Sequence, residues 1–215
     1  VEERQLPWER ILELDIAHPD GNSTLVAEIM GRRSNLLLLD PTRTIRECTL
    51  RASASQNAYR VTLPNRPYEP PPPLDRAAPP TLEEREWRSW LAAAPPSQSL
   101  ARRLVRELSA VSPTLAREVT VRAAGDPEAV VAQTDAAALH GAVAVLFAAL
   151  EDGAWSPHVA RNEEGQVAAF APYELRSWPG AEPVDSISEA MQSFYTTRQQ
   201  SDAYATVRRR VGQLL

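Results

Sequence analysis

Two groups of arginines carry the residue types and spacing that could act on a partner. "GRRSN", Gly31 to Asn35, sets Arg32 beside Arg33 between two apolar arms, "TLVAEIM" and "NLLLLD". The pattern is that of a hairpin with a cationic tip. Adjacent cations repel, and a turn is more simply made from Asn, Asp or Gly. Two readings stand: a solvated turn, or a contact with phosphate, whose oxygens a guanidinium binds bidentately. Arg102 and Arg106 are four residues apart, with Arg103 beside them. On a helix that spacing shares one face. The apolar stripe Leu100, Leu104, Val105 and Leu108 leaves these arginines pointing outward, either solvated and partly paired with Glu107 or placed for phosphate.

Residues for covalent or metal chemistry are sparse. There is no Gly-rich phosphate loop and no Cys–His pair. His18, His140 and His158 are scattered. Cys48 stands alone, which excludes a disulfide framework and a metal knuckle. "EEREW" at 83–87 reads as a solvated helix face, His140 as a packed histidine and Cys48 as an inert strand residue. No catalytic residue, metal or cofactor is expected.

The net charge is −5, and all 23 basic residues are arginine. That excludes a globally basic nucleic-acid binder. Any polyanion contact must come from local arginine clusters on an acidic body. No run reaches the roughly 18 apolar residues of a membrane helix, and no signal-peptide pattern is visible. A cytoplasmic chain without a membrane partner is expected.

The elements that must position these residues define an α+β chain. Residues 1–70 read as antiparallel strands: "RILELDI" alternates, "HPDGNS" turns, and "LVAEIM" alternates loosely. "NLLLLD" is continuously apolar, as expected of a strand covered on both faces. "TRTIRECTLR" and "NAYRVTL" continue in the same style. A proline-rich linker occupies 71–80, within the longer stretch Pro64–Pro80. Residues 81–153 are helical. "TLEE" predicts a capping box with Thr81 as N-cap and Glu84 at the third helical position. Ser112 and Pro113 mark another helix start. The turn "SAVSP" between two helices is similar to a helix–hairpin–helix connection, whose backbone N–H groups face phosphate, though the usual glycines are absent. Residues 154–182 read as a β-hairpin turning at Asn162–Gly165. Residues 183–215 form a long helix opened by Ser186 and Glu189, with Ile187, Ala190, Met191, Phe194 and Tyr195 as its inner stripe. Tyr204, Val207, Val211 and Leu214 then take up a coiled-coil rhythm.

Taken in order, "PWERILEL", "LVAEIMGRRSNLLLLD", "NAYRVTLPNRPYEPPP", "LSAVSPTLAREVTVRAA", "AAFAPYEL" and "DSISEAMQSFYTTR" resemble the N-terminal part of the NFACT family. That family takes in factors of ribosome-associated quality control and proteins long called fibronectin-binding protein A. The resemblance covers nearly all of the chain. It implies an N-terminal domain related to the MutM-type DNA glycosylase fold, a helix–hairpin–helix domain, and the start of a coiled coil. It also implies that the chain begins inside the first domain, to whose sheet the 154–182 hairpin returns. The implied partners are tRNA, in bacteria alanine tRNA, and a large ribosomal subunit that still holds peptidyl-tRNA. The implied activity is untemplated C-terminal tailing of the stalled nascent chain, without enzymatic catalysis in the usual sense. The family's Asp-Arg pair falls on Glu9 and Arg10, with Glu in place of Asp. Its "GRxSN" tip falls on Gly31 to Asn35, with Arg33 where His is frequent. An RNA contact set of Glu9, Arg10, Arg32, Arg33, Asn35, Arg102 and Arg106 follows from the resemblance and the arginine spacing together. A fibronectin-binding adhesin and a glycosylase-like nucleic-acid enzyme are the alternatives. Fold alone does not select among them.

Overall fold

Alternation of apolar and polar residues builds the first sheet. The computed structural model describes residues 1–6, 9–57, 59–72 and 75–198. Strands β1 (Glu2–Gln5), β2 (Ile11–Ile16), β3 (Ser23–Glu28), β4 (Asn35–Leu39) and β5 (Ile45–Cys48) pair antiparallel in chain order. The register sets Ile11 opposite Glu28 and Val26 opposite Leu37. Period-2 alternation therefore sends Ile11, Val26, Leu37, Leu39, Ile45 and Cys48 to one buried face, where Tyr68 joins them. The expectation that "NLLLLD" is covered on both faces fails. Leu37 and Leu39 are fully buried, but Leu36 is 46% exposed. "NAYRVTL" is not a strand either. It makes one bridge, Thr62 to Ala52, and runs on to Tyr68 over the core.

Two carboxylates enter this core face, each with its own guanidinium, as burial of charge requires. Arg43 donates to both oxygens of Glu13, at 3.1 and 2.7 Å. Arg4 adds a contact at 3.2 Å. Arg60 donates to both oxygens of Glu28 at 2.6 Å, and the Tyr68 hydroxyl donates to Glu28 at 3.1 Å. Burial, then the Glu28 charge, push the Tyr68 phenol well above its ordinary value, so it remains a proton donor.

The contacts divide the chain into two units, with the division after Asp75. The second unit begins with a 3₁₀ turn at Pro79–Thr81, followed by α1 (Glu84–Ala92), α2 (Leu100–Glu107), α3 (Pro113–Ala124) and α4 (Ala136–Glu151). Trp87, Leu91, Leu100, Leu104, Leu115, Val119, Leu139, Val143 and Leu146 are buried among these helices. Helix α1 starts two residues later than the sequence suggests. The prolines fix the preceding 3₁₀ turn, and the Thr81 hydroxyl donates to the Ala78 carbonyl at 2.8 Å instead of capping. Glu83 becomes the N-cap, its N–H donating to Glu86 at 2.9 Å. Ser112 does cap α3, with Pro113 in its first turn.

Beyond α4, β6 (His158–Arg161) pairs with β7 (Val167–Ala171) on one side and β8 (Glu182–Pro183) on the other. The turn lies where the sequence places it: Gly165 N–H donates to the Asn162 carbonyl at 2.9 Å. The hairpin does not add to the five-stranded sheet. It makes a three-stranded sheet of its own, because β8 takes the free edge of β6 and residues 187–198, which are helical, supply the cover. Ala190, Ile187 and Phe194 pack against Val159, Val167 and Phe170 there. The loop after β7 is tied to α3 through Glu118, whose side chain is fully buried. Glu118 accepts from Arg122 at 2.7 Å, from Arg176 N–H at 3.2 Å and from Ser177 N–H at 2.9 Å. The coiled-coil residues Tyr204 to Leu214 lie outside the described residues.

Candidate functional site

The β3–β4 connection is a short 3₁₀ turn, Gly31–Arg33. Gly31 opens it at φ +61, a left-handed conformation that costs residues other than glycine roughly 1 kcal/mol or more. Two polar contacts fix the turn. Met30 N–H donates to the Ser34 hydroxyl at 2.9 Å, and Ser34 N–H donates to the Gly31 carbonyl at 3.1 Å. Arg32 and Arg33 are exposed. Among the described residues no hydrogen bond or ion pair engages either guanidinium. The tip is thus rigid in its backbone and unpaired in its charge. That arrangement can receive an anion with little loss of backbone entropy.

Asn35 does not share this freedom. It is 5% exposed, and its side chain is spent inside the fold. It accepts from Leu50 N–H at 2.7 Å and from the Thr49 hydroxyl at 2.9 Å, and it donates to the Leu50 carbonyl at 2.9 Å. Asn35 therefore shapes the base of the tip, and a buried side chain with all its partners satisfied has nothing left for an external contact.

Glu9 and Arg10 lie at the same end of the sheet. Ile29 N–H donates to the Arg10 carbonyl at 2.8 Å, which ties the β1–β2 connection to the strand leading into the tip. Arg10 is exposed and Glu9 half-buried. Neither side chain pairs among the described residues, and the two do not pair with each other. Arg10, Arg32 and Arg33 thus form one cationic rim on the first unit.

The arginines of α2 divide differently from their spacing. Arg102 is exposed and unpaired among the described residues. Arg106 donates to Glu107 at 2.6 Å. Arg103 faces inward: it is 4% exposed, its guanidinium stacks 4.1 Å from the Trp90 ring, and it donates to Glu107 at 2.8 Å. Burial pushes the Glu107 carboxyl upward, but Arg106 and Arg103 together hold it below the usual value. The 108–112 connection that follows places Ala110 at φ +56, where glycine would be less strained. Ser109 N–H donates to the Ala77 carbonyl, so this amide is committed within the fold.

Cys48 is buried, and burial raises its thiol, consistent with an inert strand residue. Among the described residues no group of three His, Cys, Asp or Glu could hold a metal, and no helix is long and apolar enough to cross a membrane.

An α+β chain with antiparallel sheets and an unpaired arginine rim is the class these features define. The chain belongs to the NFACT family: the family model described as "NFACT N-terminal and middle domains" matches residues 1–215. Among curated relatives, "Rqc2 homolog RqcH" of Bacillus subtilis is 29% identical over 180 residues, covering 83% of this chain and 30% of that protein. The RqcH of Streptococcus suis is 36% identical over 89 residues, covering 39% of this chain and 16% of that protein. The chain therefore spans less than a third of the relatives' length. Among solved structures, "the fibrinogen binding protein from Staphylococcus aureus" superposes with a TM-score of 0.69 at 22% identity, over 90% of this chain and 69% of that one. The N-terminal part of a fibronectin/fibrinogen-binding protein from Streptococcus suis gives 0.64 at 24% identity, over 91% and 67%. At these identities the likeness is one of fold.

Proposed function

We propose that the chain is the N-terminal part of an RNA-binding factor of ribosome-associated quality control. In this reading the factor holds tRNA, alanine tRNA by family resemblance, on a large ribosomal subunit that retains peptidyl-tRNA. It thereby promotes untemplated C-terminal tailing and performs no bond chemistry of its own. The observation that carries the reading is the rim of Arg10, Arg32 and Arg33, exposed and unpaired in a protein of net charge −5. Membership in the NFACT family and the RqcH relatives support it. Arg102, in the first turn of α2, is a second phosphate contact in this reading. Phosphate contacts supply affinity and position, while shape and partner surfaces select the RNA.

The test is co-sedimentation of the protein with large subunits that carry peptidyl-tRNA and with empty large subunits. Retention by the first over the second is expected. Equal or absent retention would refute the ribosomal role. The names of the two solved neighbours favour a second reading, binding of fibronectin or fibrinogen. Saturable, salt-resistant binding to immobilised fibronectin, unaffected by loss of Arg32 and Arg33, would favour it.

A further inference from the structure

The first unit exposes few large hydrophobic side chains, and apart from Val1 those described are gathered at one end of the sheet. Ile29, Leu36, Leu50 and Tyr59 are 59%, 46%, 45% and 66% exposed. Ile29 is bonded to Arg10. Leu36 is the second residue of β4, its N–H donating to the Thr49 hydroxyl at 3.0 Å, and Leu50 is held by Asn35. Tyr59 belongs to the loop closed by the Ala52–Thr62 bridge, which follows Leu50 at this same end. Its neighbour Arg60 is pinned to Glu28, the residue before Ile29, and to the Glu69 carbonyl at 2.8 Å. The Tyr59 N–H is bonded to Asn57 at 3.0 Å. An exposed aromatic ring thus stands at the end of the sheet that also carries Arg10, Arg32 and Arg33.

This mixture selects among partners. A duplex shows phosphates outward and stacks its bases away, so it would use the arginines and leave the apolar residues wet. An unpaired strand shows both phosphates and base faces, and binding sites for it combine cations with an aromatic platform. Resting on the RNA reading above, we propose that this end of the first sheet takes an unpaired stretch of RNA, with Tyr59 stacking on a base while Arg32 and Arg33 hold its backbone. Tyr59 then gives preference for single-stranded over paired RNA, a role separate from the affinity supplied by the arginines.

The experiment measures fluorescence anisotropy of the full chain with a labelled single-stranded oligoribonucleotide and with its duplex, across a salt series. Tyr59→Ala should weaken single-strand binding about tenfold, leave duplex binding and the salt slope unchanged, and be rescued by Tyr59→Phe. Arg32→Ala/Arg33→Ala should weaken both RNAs and flatten the slope. Single-strand binding by Tyr59→Ala equal to wild type, or an equal loss on both RNAs, overturns the stacking role while the RNA reading stands. Absence of binding to either RNA overturns both. Tight binding to duplex alone overturns the assignment of this end to unpaired RNA.

Discussion

Replacing Arg60 by Leu should remove much of the first unit's stability. The Glu28 side chain is fully buried, and Arg60 supplies both of its short contacts, each 2.6 Å. Without Arg60 the carboxylate keeps only the Tyr68 hydroxyl at 3.1 Å. Removing one member of a buried ion pair costs about 3–5 kcal/mol, because the other is left uncompensated. A unit of 75 residues has a total stability of about 4–11 kcal/mol, so the change approaches the whole. Urea unfolding followed by far-UV circular dichroism reads it as a drop in midpoint at unchanged m. The double variant Glu28→Leu/Arg60→Leu removes both charges and should be clearly more stable than Arg60→Leu alone. A loss below about 1 kcal/mol for Arg60→Leu, the value of an exposed pair, would refute the reasoning. So would a double variant as unstable as the single one.

Asn35→Ala should cost about 1–3 kcal/mol through the unsatisfied Leu50 amide, the Leu50 carbonyl keeping the Thr62 hydroxyl as donor, without changing the salt slope of RNA binding; an altered slope at unchanged stability would make Asn35 a direct contact. Glu118→Ala should speed hydrogen exchange at Arg176 and Ser177, whose amides it accepts, and unchanged exchange there would show that the clamp is not needed. Glu107 gives a pH signature. Its folded carboxyl lies below the ordinary 4.5, so the unfolded chain takes up the proton first as pH falls. The stability it contributes is full above about pH 4.5 and is lost as pH falls through the folded value. The stability difference between wild type and Glu107→Gln should therefore hold above the ordinary 4.5 and shrink as pH falls below it; a constant difference would contradict the assignment.

Period and punctuation made much of this fold legible in the sequence. The alternation in "RILELDI", the Ser112–Pro113 start and the Asn162–Gly165 turn are local signals, and the structure places β2, α3 and the β6–β7 turn on them. The buried carboxylates were not legible. Nothing in the local pattern marks Glu13, Glu28 and Glu118 as buried, because besides the nearby Arg4 and Arg122 the groups that admit them lie 30, 32 and 58–59 residues away in the chain. The inward turn of Arg103 was not read from the sequence, because the ring it stacks on, Trp90, lies on a different helix. The hairpin at 154–182 was legible as a hairpin but not in its sheet. That depended on β8, a two-residue strand with no pattern of its own. At the candidate site, "GRRSN" located the cationic tip and suggested a turn-shaping role for Ser34 and Asn35, but it did not show how completely Asn35 is spent inside the fold, because its partners come from the far end of β5.

The most direct test of the central claim is the salt dependence of tRNA binding by wild type and by Arg32→Ala/Arg33→Ala. If each arginine holds one phosphate, the slope of log K against log salt should fall by about 1.4–1.8 in the double variant, with weaker binding at low salt. A slope equal to wild type would return the Gly31–Arg33 turn to a solvated tip and move the RNA contact elsewhere.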